Sequence, residues 1–158
     1  MNRYREATKE NFDEKTKQAV ENAINEDKGL FIYGDTGTGK TYILHALGRG
    51  KGGVENFVEL LVEFRDDMQK GFYHEKLIEF TNQDYVFIDD IGSEKTSEFV
   101  IEFLYMVVNK RYENMKRTVF ATNLTLEDFK NRYGDRILSR ISEMCVLLEL
   151  KGEDKRLV

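Results

Sequence analysis

The 158-residue sequence contains no proline and no tryptophan, a single cysteine and two histidines. Without proline, a Pro-rich linker between domains is excluded. Cys145 alone rules out an internal disulfide and any cysteine-rich metal site. His45 and His74 lie far apart with no partner at ligand spacing, so both read as ordinary surface or core histidines. No apolar run is long enough to span a bilayer, and the opening MNRYREATKE lacks the apolar core of a secretory signal. A cytoplasmic protein with no membrane partner is the reading. Repeats and low-complexity tracts are also missing. So is an excess of positive charge: 24 Lys and Arg against 29 Asp and Glu leave a net charge of −5. General stickiness toward nucleic acid is therefore excluded, and any such contact must be local. Local basic pairs do occur at Lys110 and Arg111, Lys116 and Arg117, and Lys130 and Arg132. They read as solvated faces, with nucleic-acid contact the competing reading.

What is present suits one compact domain, with 41% hydrophobic and 34% charged residues. Residues 1–12 read as a polar N-terminal arm, 13–150 as the core and 151–158 as a short charged tail. Strands and helices alternate. Residues 13–27 form an amphipathic helix with Val20, Ala23 and Ile24 at helical spacing. Residues 29–33 form a short apolar strand that ends in glycine, and 40–47 a helix closed by the GRGKGG stretch at 48–53. A weak strand at 54–58 precedes a helix at 59–69. The clear strand 85–88 runs into Asp89 and Asp90. The longest helix is 96–112, with Phe99, Phe103, Met106 and Val107 on its core face. A strand at 118–121, helices at 125–131 and 135–142, and a strand at 145–150 complete the chain. This alternation predicts a three-layer α/β fold around a mainly parallel, five-stranded sheet, with ligands at the carboxyl ends of the strands.

Three polar constellations fall at those ends. The segment Gly34, Asp35, Thr36, Gly37, Thr38, Gly39, Lys40, Thr41 satisfies G-x-x-x-x-G-K-[ST] without a mismatch. Its glycines let successive N–H groups turn inward onto phosphate oxygens, and the next helix adds its positive N-terminal end. Lys40 supplies a mobile cation for the β- and γ-phosphates, Thr41 a hydroxyl for Mg²⁺, and Tyr42 extends the cofactor-contacting run. Asp89 and Asp90 leave the second strand as a Walker B element. Asp89 is expected to hold magnesium through water, and Asp90 to orient or deprotonate the attacking water. Asn123, after the strand at 118–121, could help place that water; a turn-forming or helix-capping asparagine is the alternative. Arg136 and Arg140 stand at i and i+4 and share one helix face. By spacing they read as solvated, with Asp135 and Glu143 as local partners, or as an arginine finger for a neighbour's γ-phosphate.

Taken together, GDTGTGKT, FIDDIGSEKTSEF, TVFATNLT and YGDRILSRI resemble the AAA+ ATPases of the DnaC/DnaI/IstB helicase-loader group, over nearly the whole chain. The resemblance implies a P-loop NTPase fold of the AAA+ type that binds ATP or ADP with Mg²⁺. It implies an oligomer whose site is completed in trans, with a replicative DNA helicase and single-stranded DNA as partners. It assigns Lys40, Thr41, Asp89 and Asp90 to the Walker positions, Asn123 to sensor 1 and Arg140 to the arginine finger, with Arg136 as neighbouring support. Such loaders usually carry an extra N-terminal domain that grips the helicase, whereas the motifs here begin with the ATPase core, and no lid-domain pattern is read after Leu150; weak nucleotide affinity would be consistent with that reading. Two alternatives share these motifs: a transposition helper of the IstB type, and a nucleotide-bound module that acts on a replication partner without turnover. A small-molecule kinase would need a substrate pocket and an arginine-bearing lid, for which the sequence offers no candidate.

Overall fold

The computed structural model describes Tyr4 and residues 7–152. A short 3-10 turn (Lys9–Asn11) leads into α1 (Glu14–Asn25), β1 (Gly29–Gly34), α2 (Lys40–Gly48), β2 (Val54–Asn56) and α3 (Phe57–Gln69). Then come α4 (Tyr73–Thr81), β3 (Tyr85–Ile91), α5 (Glu98–Glu113), β4 (Arg117–Thr122), α6 (Leu126–Tyr133), α7 (Asp135–Met144) and β5 (Cys145–Leu150). The sheet has five strands in the order β2-β3-β4-β1-β5, and every neighbouring pair is parallel. The expected "mainly parallel" sheet is thus wholly parallel, and all strands point their carboxyl ends to one edge.

Alternation along the strands splits their apolar runs into two cores. Leu30, Ile32, Phe87, Val119, Ala121 and Leu148 face α1 and α2. Phe31, Val86, Ile88 and Phe120 face the layer of α3 to α7, where Phe103 packs against Phe57 and Phe64 in tilted contacts at ring distances of 4.7 to 6.2 Å. A strand buried on both sides must be apolar at every position, which is why its periodicity is invisible in the sequence.

Several expectations are corrected. The sequence reading assigns nothing to residues 70–84, yet α4 lies there and buries Leu77, Phe80 and Thr81 on one face. Three core residues in so short and charged a segment make a weak signal. In α1 the buried face is Thr16, Ala19 and Ala23, while Ile24 is 59% exposed. Small side chains let α1 lie close against β1 and β5. On α5, Phe99 and Met106 are only partly buried, and Val100, Leu104 and Val108 join Phe103 and Val107 in the core. Ser97 sets the start of that helix by accepting the Val100 N–H at 3.3 Å. Asn56 does the same for α3, accepting from the Glu59 N–H at 3.1 Å, so β2 stops after three residues and Phe57 is already helical.

The basic pairs are mostly spent inside the fold. Arg111 is fully buried and donates to five acceptors: the Thr118 hydroxyl (2.6 Å) and the carbonyls of Thr81 (3.0 Å), Gln83 (2.6 Å), Asp84 (3.5 Å) and Arg117 (2.8 Å). Those are as many acceptors as a guanidinium has N–H donors. Burial lowers its pKa to about 10, so it stays charged at neutral pH. Lys116 pairs with Asp84 at 3.2 Å, Lys130 with Asp135 at 3.3 Å and Arg132 with Glu94 at 3.1 Å, and Arg117 pairs with Asp27. Arg111 is therefore a clasp between α4 and the starts of β3 and β4, and cannot touch nucleic acid. Replacing it with alanine strands those carbonyls without donors and is expected to cost about 3 kcal/mol or more, read as a lower urea midpoint. Arg111→Lys, with three donors on one nitrogen, is expected to recover only part of that loss.

Candidate functional site

The loop from Gly34 to Thr41 turns tightly where β1 ends. A Cβ at Gly34 would lie 2.0 Å from the Leu150 carbonyl oxygen, so β5 and the loop approach each other only across a glycine. Gly39 caps α2 with φ of 101°, a left-handed conformation that glycine adopts without a steric penalty. The loop braces itself through the Thr38 hydroxyl, which donates to the Asp35 carbonyl at 2.8 Å. Lys40 is buried, and its ammonium donates to the carbonyls of Gly34 (2.7 Å) and Asp35 (2.6 Å) and to Thr38 Oγ1 (3.3 Å). Neutral carbonyls are weaker partners for an ammonium than anionic oxygens, so the loop is chemically suited to phosphate.

Across the cleft, Thr41 Oγ1 donates to Asp89 Oδ2 at 2.7 Å, and Asp89 Oδ1 accepts the Asp90 N–H at 2.9 Å. Asp89 and Asp90 lie inside β3, which runs on to Ile91, rather than after it. Asp90 has φ of 61°, at a shift in the β3–β4 register between Ile88 and Ile91. That bulge lets two successive carboxylates face the same cleft, which a regular strand forbids. Asn56 Nδ2 donates to Asp90 Oδ2 at 3.3 Å, joining the end of β2 to the same group. Sequence reading missed Asn56: its only sequence signal is a polar residue at the end of a weak strand.

Burial pushes the Asp89 carboxyl above its ordinary range, outweighing the downward pull of the Thr41 hydroxyl; the nearby Asp90 charge adds to the rise. On β4, the Thr122 hydroxyl donates to the Ile91 carbonyl at 2.6 Å and accepts the Leu124 N–H at 3.1 Å. It thereby holds the turn that carries Asn123, which is exposed and lines the cleft. Glu94, four residues after Asp90, is structural. The Glu94 carboxylate is 4% exposed, accepts the Gly92 N–H at 3.2 Å, and is bound by Arg132 and the Tyr133 hydroxyl.

The cleft measures about 840 Å³ and is lined by Asp90, Asn123 and the loop together with Asn11, Phe12, Thr16 and His45. That is ample for a nucleotide. Tyr42 lines it, but its hydroxyl is engaged elsewhere. It accepts from the Thr8 N–H (3.0 Å) and Asn11 Nδ2 (2.9 Å) and donates to the Thr8 carbonyl (3.3 Å), pinning the N-terminal segment along α2. His45 stacks on Tyr4 at 4.8 Å. Burial lowers its pKa, and the Asp89 charge acts the other way. Contacts between residues about 34 positions apart left no motif to find. Arg136 and Arg140, both on α7, do not line the cleft of their own chain. Among the described residues no cluster of His, Cys, Asp and Glu forms a metal cage, and no helix is long and apolar enough to cross a membrane.

A parallel sheet of this order, with a phosphate-type loop after β1 and an acidic pair at the end of β3, defines a P-loop NTPase domain of the AAA+ type. The chain belongs to the family of IstB-like ATP binding proteins, whose model matches residues 5–158. It is 29% identical over 160 residues to the chromosomal replication initiator protein DnaA of Mycoplasma genitalium, covering 86% of this chain and 36% of DnaA. It is 25% identical over 154 residues to the replicative helicase loader DnaI of Bacillus subtilis, covering 85% of this chain and 50% of DnaI. It thus spans half or less of the length of these two curated relatives. Among solved structures, that of the DnaC helicase loader superposes with a TM-score of 0.79 at 26% identity, covering 96% of this chain and all of that one.

The raised pKa of Asp89 carries a test. A carboxyl whose pKa rises on folding makes the folded state bind more protons, so its contribution to stability falls as pH climbs above 3.8, its ordinary value. Asp89→Asn removes the buried charge, and the Thr41 hydroxyl can turn to accept from the amide. Without nucleotide, the variant is expected to melt above wild type at pH 7. The gap should shrink toward pH 4 and below, as thermal scans across pH will show.

Proposed function

We propose that this domain is an ATPase that works as an oligomer on DNA, as a replication factor of the helicase-loader kind. The observation that carries the reading is the Thr41–Asp89 hydrogen bond at 2.7 Å, which sets a hydroxyl and a buried carboxylate side by side next to Lys40. An all-oxygen pair of this kind suits Mg²⁺, which takes one or two protein oxygens and completes its shell with water and phosphate. Thr41 and Asp89 would hold the ion, which when bound supplies positive charge to the phosphate oxygens.

Lys40 leaves the loop carbonyls for the β- and γ-phosphates, and the backbone from Gly34 to Gly39 wraps them. Asp90 takes the proton of the attacking water, with Asn56 holding its Oδ2 and leaving its other oxygen to the water. Asn123, on the turn braced by Thr122, helps to place that water. Asn11 and Phe12, on the N-terminal segment that Tyr42 holds, line the same cleft and would flank the base. Arg140, seconded by Arg136, acts on the γ-phosphate held by a neighbouring copy, because it cannot serve the cleft of its own chain. A replicative helicase and single-stranded DNA are the partners in this reading. The helicase-loader identity of DnaI, and of the DnaC loader that superposes over nearly all of this chain, supports it. A second reading, an IstB-type transposition helper acting on duplex DNA, is favoured by the family match over residues 5–158.

ATP hydrolysis measured over a protein concentration series, with single- or double-stranded DNA, tests the proposal. Specific activity is expected to rise with concentration. Arg140→Ala should lower it about a hundredfold or more, and Lys40→Ala should abolish nucleotide binding. Flat, negligible turnover at every concentration despite tight ATP binding would overturn the ATPase reading in favour of a non-catalytic nucleotide-bound module. Preference for duplex over single strands would select the transposition reading.

A further inference from the structure

The two arginines of α7 rest on aromatic rings rather than on carboxylates. The Arg140 guanidinium carbon lies 4.9 Å from the centre of the Tyr112 ring, and that of Arg136 lies 5.9 Å from the Tyr105 ring. Tyr105 and Tyr112 are two helical turns apart on α5, and Arg136 and Arg140 one turn apart on α7, so two packed helices set tyrosines against arginines.

The two carboxylates of α7 itself are occupied. Asp135 receives Lys130 at 3.3 Å. Glu143, three residues beyond Arg140, accepts a short hydrogen bond from the Tyr112 hydroxyl instead. Among the described residues neither arginine forms an ion pair, and Arg140 Nε is buried with no hydrogen-bond partner. A ring face attracts a guanidinium without neutralising it, and it leaves the outer N–H fork free for a bidentate anion. A carboxylate would fill that fork.

We propose that Tyr112 is the positioning residue of Arg140. Its ring holds the guanidinium, and its hydroxyl holds Glu143 away, so that Arg140 reaches a neighbour's phosphate unneutralised. Tyr105 provides the ring for Arg136. The inference rests on Arg140 acting in trans, as proposed above.

The test compares wild type, Arg140→Ala, Tyr112→Leu, Tyr112→Phe and the double variant Tyr112→Phe/Glu143→Gln. ATPase kcat and KM are measured at a protein concentration that saturates assembly. Binding of a fluorescent ATP analogue is measured on dilute protein, with thermal melting alongside. Tyr112→Leu, which removes ring and hydroxyl, is expected to lose about tenfold in kcat with unchanged analogue binding. Tyr112→Phe keeps the ring but frees Glu143 to pair with Arg140, and should lose about fivefold. The double variant should recover most of that loss, a rescue that a packing role for Tyr112 cannot produce. Wild-type kcat in Tyr112→Phe, or a double variant no better than Tyr112→Phe, overturns the inference while a damaged Arg140→Ala leaves the trans reading standing. Wild-type kcat in Arg140→Ala overturns both.

Discussion

The hydrogen bond from Thr41 to Asp89 joins residues 48 positions apart at 2.7 Å, and the geometry of the cleft depends on it. The two residues belong to elements that are not neighbours in the sheet. Thr41 lies in the first turn of the helix after β1, Asp89 sits in β3, and β4 runs between β1 and β3. They meet because β4 is in parallel register with both, pairing Phe120 with Phe31 on one side and with Ile88 on the other. Parallel strands deliver their carboxyl ends to one edge, so the loop, the acidic pair and Asn123 converge without any of them being adjacent in sequence.

That convergence has an energetic cost. Asp89 sits in a largely desolvated position that disfavours its charged form, and Asp90 is held at a φ of 61°, a conformation worth about 1 kcal/mol of strain for a residue with a Cβ. Backbone strain of this kind persists where surrounding structure over-determines it. Here the Asn56 amide, the Thr122 hydroxyl on the Ile91 carbonyl and the Glu94 cluster surround the bulge on three sides. At the opposite end of the same strands Arg111 gathers the carbonyls that precede β3 and open β4. The acid end and the basic clasp thus fix both ends of the central strand pair.

The tyrosines of α5 extend the same economy to α7. Tyr112 engages Glu143, and the Tyr105 and Tyr112 rings lie under Arg136 and Arg140, leaving two cations that no carboxylate among the described residues has paired. The basic pairs on α6, β4 and the turn before it are neutralised by Asp84, Asp27, Asp135 and Glu94. Charge that looked evenly scattered in the sequence is sorted by packing into paired and unpaired sets.

Much of the fold was legible because its signals are local. A glycine-rich loop between an apolar strand and a helix states its backbone conformation in eight consecutive residues, and the apolar runs leading to Asp89-Asp90 and Thr122-Asn123 declare themselves by hydrophobicity and an abrupt polar stop. From these the sequence by itself determined the α/β class, the strand count and the phosphate-type loop with its facing acids. It could not place α4, whose buried face is Leu77, Phe80 and Thr81, nor the true core face of α1, because depth depends on what packs against a helix rather than on its own period. Nor could it decide that Arg111 is a clasp, that Asn56 reaches Asp90, that Tyr42 holds Thr8 and Asn11, or that Arg140 lies over Tyr112. Each of those is a pairing between segments brought together only by the sheet order, and long-range pairing leaves no trace in the spacing of either partner.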